Sequence, residues 1–304
     1  IKFRELLKDV YPNYFFKGVQ LSQLSKIDTA TLKFPLILKP AVGFFSLAVY
    51  KVDNASEWQA VLTNIQQEIA SFKGMYPKEA VDVSDFIIEQ YIEGEEYAID
   101  CYFNKNGDPV VLNVMHHIFS SDNDVSDRVY STSKNIIEKY KSEIEAFLKI
   151  VGEKADLKNF PIHVEIRVDN DNNIIPIEIN PLRFGGWCTT GDMSYFAYGF
   201  NSYEQFLHQK TPNWNAIFET RKDKLYSLIV LDNNSGIKEK DIASFNYELL
   251  LKDFKKPLNL RKVDFRKYAV FGFLFIETSK ENKTELNAIL TSNLRKYITV
   301  KSAV

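Results

Sequence analysis

The sequence predicts an α+β fold built on antiparallel hairpins, and three observations carry that expectation. The stretch Pro161 to Trp187, PIHVEIRVDNDNNIIPIEINPLRFGGW, reads as two short strands around an Asx-rich turn. Asn106-Gly107 joins two further apolar runs, and Asn-Gly is a strong hairpin signal. Residues 54–72 and 133–151 carry apolar side chains at helical spacing.

Composition bounds the function. The chain has 304 residues, 45% hydrophobic and 26% charged, enough for one large domain with subdomains or for two domains. Lys+Arg of 38 against Asp+Glu of 40 leaves a net charge of −2, so nothing suggests nucleic acid as an obligatory partner. No apolar run approaches the ~20 residues of a membrane-spanning helix, and no membrane partner is expected. Cys101 and Cys188 give neither a disulfide framework nor a metal spacing, which fits a reducing, cytoplasmic setting. The first residues are charged throughout, unlike a signal peptide. The chain starts at Ile1 rather than Met, so an excised fragment, or else a processed protein, is expected.

Taken in order, residues 2–10 suit a short amphipathic helix, with Phe3, Leu6, Leu7 and Val10 on one face and Pro12 as its stop. A polar connection from Ser22 to Thr31 follows. Phe34 to Pro40 is an apolar strand ending in Lys39, and Leu47 to Val52 is its hairpin partner. The loop between them holds Gly43 and Ser46. Backbone N–H groups, a hydroxyl and a lysine at a loop mouth suit a polyphosphate, although a plain hairpin with a structural lysine has the same pattern. Asn54 or Ser56 caps the helix over 54–72. Strands are expected at Phe86 to Ile92, Tyr97 to Phe103 and Val110 to Phe119. Residues 120–132, SSDNDVSDRVYST, read as a polar loop suited to a substrate lid, with Asp122, Asp124, Asp127 and Arg128 in it. After the central hairpin, 192–209 reads as mostly helical and 212–220 as a short helix. Leu225 to Leu231 and Tyr268 to Thr278 read as strands, and 280–297 as a helix capped by Ser279 or Asn282. Residues 238–256 fit no single element, and no chemical motif appears in 210–304.

The central hairpin has a predictable register. Val164, Ile166 and Val168 alternate with His163, Glu165 and Arg167; Ile175, Ile177 and Ile179 alternate with Glu178 and Asn180. A turn centred on Asp171-Asn172 sets Glu165 opposite Glu178 and His163 opposite Asn180. Opposed side chains lie about 5 Å apart, where like charges repel. Either a hard divalent cation sits between the carboxylates, or Arg167 or another base neutralises them on a solvated face. The Arg183 and Gly185-Gly186 that follow favour a site, since diglycine permits close backbone approach.

In chain order, these motifs are a strand ending in Lys39-Pro40 before a Gly/Ser loop, then Glu-Gln-Tyr-Ile-Glu-Gly-Glu-Glu over 89–96. Glu165 on one strand and Glu178-Ile179-Asn180-Pro181 on the next follow, then Arg183 and Gly-Gly. This set resembles the ATP-grasp superfamily, especially its carboxylate–amine ligase branch. The resemblance implies two α+β subdomains gripping ATP between antiparallel sheets. It divides the chain into an N-terminal lead-in (1–32), a small lid subdomain (33–91), a large subdomain with the metal site (92–210) and a C-terminal α/β appendage (211–304). It implies that Lys39 contacts the α- and β-phosphates, and that Gly43, Ser46 and the backbone of 42–46 cover them. Glu89, Gln90 and Ile92 match the hinge that reads the adenine edge, and Glu96 the acid that binds the ribose. Glu165, Glu178 and Asn180 match ligands of Mg²⁺, with Mn²⁺ as the alternative. Arg183, with Arg167 able to share the duty, matches the arginine at the transferring phosphate. The implied activity is an ATP-dependent ligase joining a small carboxylate to an amine through an acyl phosphate. A phosphotransferase or a non-catalytic ATP-binding module is the alternative. Three departures stand out: Leu182 intervenes between Pro181 and Arg183, Phe44-Phe45 occupies the loop where small residues are common, and the chain starts inside the region where the family usually carries an N-terminal βαβ subdomain and a further phosphate-binding lysine, a role not assigned to Lys2.

Overall fold

A computed structural model describes residues 1–43, 47–72, 74, 82–121, 124, 126–279 and 283–302. Phe44, Phe45, Ser46, Asp122 and Asn282 therefore lie outside the described residues. The chain divides into two compact units, one of residues 1–93 with 121–127 and the other of 94–120 with 128–304.

In the first unit α1 (Lys2–Leu6) precedes β1 (Phe16–Gln20), β2 (Leu36–Val42), β3 (Tyr50–Val52), α2 (Trp58–Phe72) and β4 (Asp82–Gln90). The strands form an antiparallel sheet ordered β1-β4-β2-β3. Trp58, Val61, Leu62 and Ile65 of α2 pack on Leu36, Leu38, Val52, Phe86 and Ile88. Asn54 opens the helical segment by accepting from the Ser56 N–H at 3.1 Å. The helix expected over 2–10 ends at Leu6, because Val10 and Tyr11 both turn back to the Leu7 carbonyl. β1 was not legible in the sequence. FKGVQ has no alternating apolar face, and it forms at the sheet edge by ladder bonds to β4.

The second unit begins with β5 (Glu95–Phe103), β6 (Pro109–Ile118), β7 (Val129–Thr132), α3 (Lys134–Ala155), β8 (Phe160–Val168) and β9 (Ile174–Pro181). Then come α4 (Thr189–Tyr198), α5 (Ser202–Leu207), α6 (Trp214–Glu219), β10 (Lys224–Asp232), β11 (Ile242–Phe245) and α7 (Tyr247–Leu251). The unit closes with β12 (Pro257–Lys262), α8 (Phe265–Tyr268), β13 (Val270–Ser279), α9 (Thr284–Leu290) and β14 (Ile298–Val300). Eight strands form one antiparallel sheet ordered β12-β13-β10-β7-β6-β5-β8-β9, and β11 pairs with β14. Strands from beyond residue 210 thus extend the sheet that carries the central hairpin.

Two expectations need correction. Residues 120–132 are not all loop: the last four are β7, inserted between β6 and β10. Polar composition hid this strand because its hydroxyls are bonded internally, Ser131 to Ser227 at 2.7 Å and Thr132 to the Asn113 amide oxygen at 2.8 Å. Arg128 is buried and pairs with Asp232 at 2.9 Å, so it is not an exposed lid residue. The helix expected over 280–297 is confined to Thr284–Leu290, and a 3₁₀ turn at Arg295–Tyr297 leads into β14.

Candidate active site

β8 and β9 pair as expected where it matters: Glu165 opposes Glu178, and His163 opposes Asn180. A β-bulge then intervenes, and Ile166 pairs with Pro176, leaving Ile177 extra. The apolar alternation expected for β9 therefore breaks. Ile175 faces Arg167 on the polar side, and Pro176 is the buried residue.

Directly opposed residues share a sheet face. Across β6, β5, β8 and β9 the register builds three rows on one face: His117–Glu96–Arg167–Ile175, Met115–Ala98–Glu165–Glu178, and Asn113–Asp100–His163–Asn180. The face is polar at its centre because period-2 alternation repeats on four neighbouring strands.

In the first row Glu96 is held at both oxygens. His117 Nδ1 lies 2.7 Å from Oε1, and Arg167 Nε donates to Oε2 at 3.1 Å. His117 is itself stacked on Tyr130 with ring centroids 4.1 Å apart. His116 pairs instead with Glu95.

In the third row His163 is buried, with Nδ1 2.7 Å from Asp100 Oδ1 and Nε2 3.5 Å from Glu165 Oε1. Burial opposes its charge, but the bonds to Asp100 and Glu165 prevail and push its pKa up to about 9. The positive charge demanded beside the two carboxylates is thus partly supplied by this imidazolium. Asp100 Oδ1 also accepts from the Gly185 N–H at 3.1 Å, tying the strand face to the loop after β9.

Glycine requirements at the site are local. Gly94 has φ +120°, and a Cβ there would stand 2.2 Å from the Val168 carbonyl oxygen. A Cβ on Gly185 would strike the Thr190 side chain at 2.2 Å, while Gly186 faces open space. Leu182, the inserted residue, adopts φ +60° and is 71% exposed. Arg183 follows it and donates to the Phe184 carbonyl at 3.0 Å; no ion pair brings it to Glu165 or Glu178 among the described residues.

The first unit holds the other expected residues. The strand expected to end at Lys39 runs on to Val42, so Lys39 is the middle residue of β2; it lies 2.6 Å from Glu89 Oε1. Arg4 reaches Glu89 Oε2 at 2.9 Å. Burial works against the Glu89 charge, yet Lys39 and Arg4 hold its carboxyl below the ordinary carboxylate value. The Tyr14 hydroxyl donates to the Gln90 carbonyl at 2.8 Å, and the Gln90 N–H bonds the Phe15 carbonyl at 2.9 Å. Ile92 is buried, and Gly43 is half-buried after β2.

Sequence reasoning gave no role to His163, Asp100, His117 or Arg4. The first three had a usable signal, since each sits at even spacing from a named residue or opposite one across a strand. Arg4 had none, being 85 residues from Glu89.

Residues 32–191, more than half of the chain, match the ATP-grasp domain family. The chain belongs to that family. Among solved structures, this ATP-grasp chain resembles an L-amino acid ligase from Bacillus licheniformis, at 19% identity and a TM-score of 0.65 over 100% of this chain and 71% of that one. It resembles N5-carboxyaminoimidazole ribonucleotide synthetase from Thermotoga maritima at 17% identity and a TM-score of 0.59, over 99% of this chain and 71% of that one. A third is the biotin carboxylase domain of a Hydrogenobacter thermophilus 2-oxoglutarate carboxylase holding MgADP, at 13% identity and a TM-score of 0.58, over 99% and 65% of the two chains. No curated protein matches. At these identities the likeness establishes the ATP-grasp fold.

The donor set can be tested against Mg²⁺. Among the described residues no three His, Cys, Asp or Glu are grouped to hold a metal. Mg²⁺ needs less from protein: one or two carboxylates, with phosphate and water completing six oxygens. Glu165 and Glu178 are such a pair. Among the described residues the buried Asn180 Nδ2 has no hydrogen-bond partner, and the same side-chain amide can instead offer oxygen. The residues fit the ion.

Proposed function

We propose that the chain is an ATP- and Mg²⁺-dependent ligase that activates a small carboxylate as an acyl phosphate and transfers the acyl group to an amine. The observation that carries this reading is the opposition of Glu165 and Glu178, with Asn180 one row away, on a face that also holds Glu96.

Each residue then has a task. Lys39 binds the α- and β-phosphates, with the backbone around Gly43 and Ser46 over them. Backbone groups of Glu89, Gln90 and Ile92 bind adenine. Glu96, fixed at both oxygens, presents a preset carboxylate to the ribose hydroxyls. Its bond to Arg167 supports an anchoring task for that arginine. Glu165, Glu178 and Asn180 hold Mg²⁺, or Mn²⁺ in its place. The bound cation neutralises phosphate charge during transfer. The substrate carboxylate attacks the γ-phosphorus as the bond to ADP breaks. The amine nitrogen then attacks the acyl carbon, phosphate departs, and the nitrogen loses a proton. Arg183 faces the transferring phosphoryl group once its guanidinium leaves the Phe184 carbonyl. That carbonyl bond favours one second reading, an ATP-binding module without catalysis.

Two free thiols, Cys101 buried and Cys188 exposed, support a cytoplasmic setting, and no described helix is long and apolar enough to cross a membrane. The test is ADP release and product analysis with ATP, Mg²⁺ and a panel of carboxylates and amino acids. A joined product supports the ligase. Phosphorylated product alone identifies a phosphotransferase, and ATP binding without turnover a binding module.

A further inference from the structure

Glu89 is 2% exposed, yet two cations reach it. Lys39 Nζ lies 2.6 Å from one oxygen, and Arg4 approaches the other through Nε and Nη2, both at 2.9 Å. Arg4 is 4% exposed and packs over the rings of Tyr14 (4.1 Å) and Phe3 (4.6 Å). It also donates to the Tyr14 hydroxyl at 3.0 Å, and that hydroxyl donates to the Gln90 carbonyl. Both Arg4 and Tyr14 lie outside the stretch 32–191 that matches the family.

A buried carboxylate that loses its cation is strongly destabilised. A lysine that is the main compensating charge of such a carboxylate is held there, and turning towards phosphate leaves the carboxylate exposed to that cost. A second cation of fixed geometry removes the conflict. Arginine suits the task, because its planar fork is always charged and pre-shaped for a carboxylate.

We propose that Arg4 is a positioning residue for the nucleotide phosphates: it compensates Glu89 so that Lys39 can turn its ammonium group to phosphate. This rests on the ATP-binding reading above. Arg4 touches no substrate and acts through Glu89 and Lys39.

The test measures dissociation constants of MgATP and of adenosine by calorimetry, with thermal melting as the folding control. Arg4→Met is expected to weaken MgATP at least tenfold and adenosine less than twofold. In Arg4→Met/Glu89→Gln the carboxylate charge that would hold Lys39 is gone, and the MgATP constant is expected to lie within threefold of that of Glu89→Gln alone, whereas a tenfold further loss overturns the proposal. A merely structural Arg4 would shift both ligands together or neither, and either result overturns the proposal. If Arg4→Met does not fold, Arg4→Lys replaces it. Lysine keeps the charge without the fork, so a threefold or greater selective loss of MgATP supports the proposal and an unchanged ratio overturns it. A starting protein that binds no ATP overturns the ATP-binding reading itself, and with it this inference.

Discussion

Glu165 and Glu178 face one another across β8 and β9, and His163 shares their face. Two carboxylates and one buried imidazolium leave an excess of negative charge that a divalent cation can satisfy. Glu178→Ala is expected to abolish Mg²⁺-dependent ADP release while leaving the melting temperature within a few degrees; full turnover would remove Glu178 from the metal set. Asp100 holds His163 and the Gly185 N–H together, and loss of such an outer partner costs about 10- to 100-fold in metal affinity or activity. Asp100→Asn is expected to fall in that range in a Mg²⁺ titration of activity. Glu89 gives a pH prediction. Its folded pKa lies below the ordinary value of 4.5, so its contribution to stability is complete above that value and is lost as pH falls through the folded one. The melting-temperature gap between the protein and Glu89→Gln should therefore hold near neutrality and shrink only in acid. A gap unchanged to about pH 3 would show that the ion pairs contribute little.

At the scale of elements, short irregularities place the chemistry. The bulge at Ile177 lets Glu178 stay opposite Glu165 while Pro176 reaches the buried side beside Ile166. Gly94 turns the chain into β5 at a backbone angle open to glycine, against the Val168 carbonyl. Gly94→Ala combines that strain with a steric overlap, and is expected to cost more than about 2 kcal/mol in chemical denaturation. Neutral stability would mean that the loop relaxes freely. The Glu165–Glu178 opposition was legible, but next to the turn the register is one residue off the one expected, Val168 pairing with Ile174 and Arg167 with Ile175, and the bulge restores it. The bulge was not legible, since Ile175, Ile177 and Ile179 alternate along the sequence as in a regular strand, and nothing local marks Ile177 as the extra residue. β7 was hidden for another reason: its hydroxyls find partners in β6 and β10, which a local window of sequence does not contain.

At the scale of the molecule, each unit has its own apolar cluster, one under α2 and one around β10, β11 and β13. Phe271, fully buried and stacked on Phe245 at 4.1 Å, is central to the second. Phe271→Ala is expected to cost about 3–5 kcal/mol by denaturant titration. A smaller loss would show that this cluster repacks. Since β10, β12 and β13 share the sheet of the candidate site, such destabilisation should reach ligand binding as well. The sequence by itself determined the local chemistry: Lys39 on a strand before a Gly/Ser loop, Glu96 after its turn, and Glu165, Glu178 and Asn180 on the polar positions of one hairpin. Those features depend on neighbours along one hairpin. Only the tertiary structure decided that His117 and Arg167 clamp Glu96, that Asp100 and His163 back Glu165, and that Arg4 shares Glu89 with Lys39. Each of these joins strands or segments distant in sequence, and sheet order, which the chain's local patterns do not encode, sets which side chains meet.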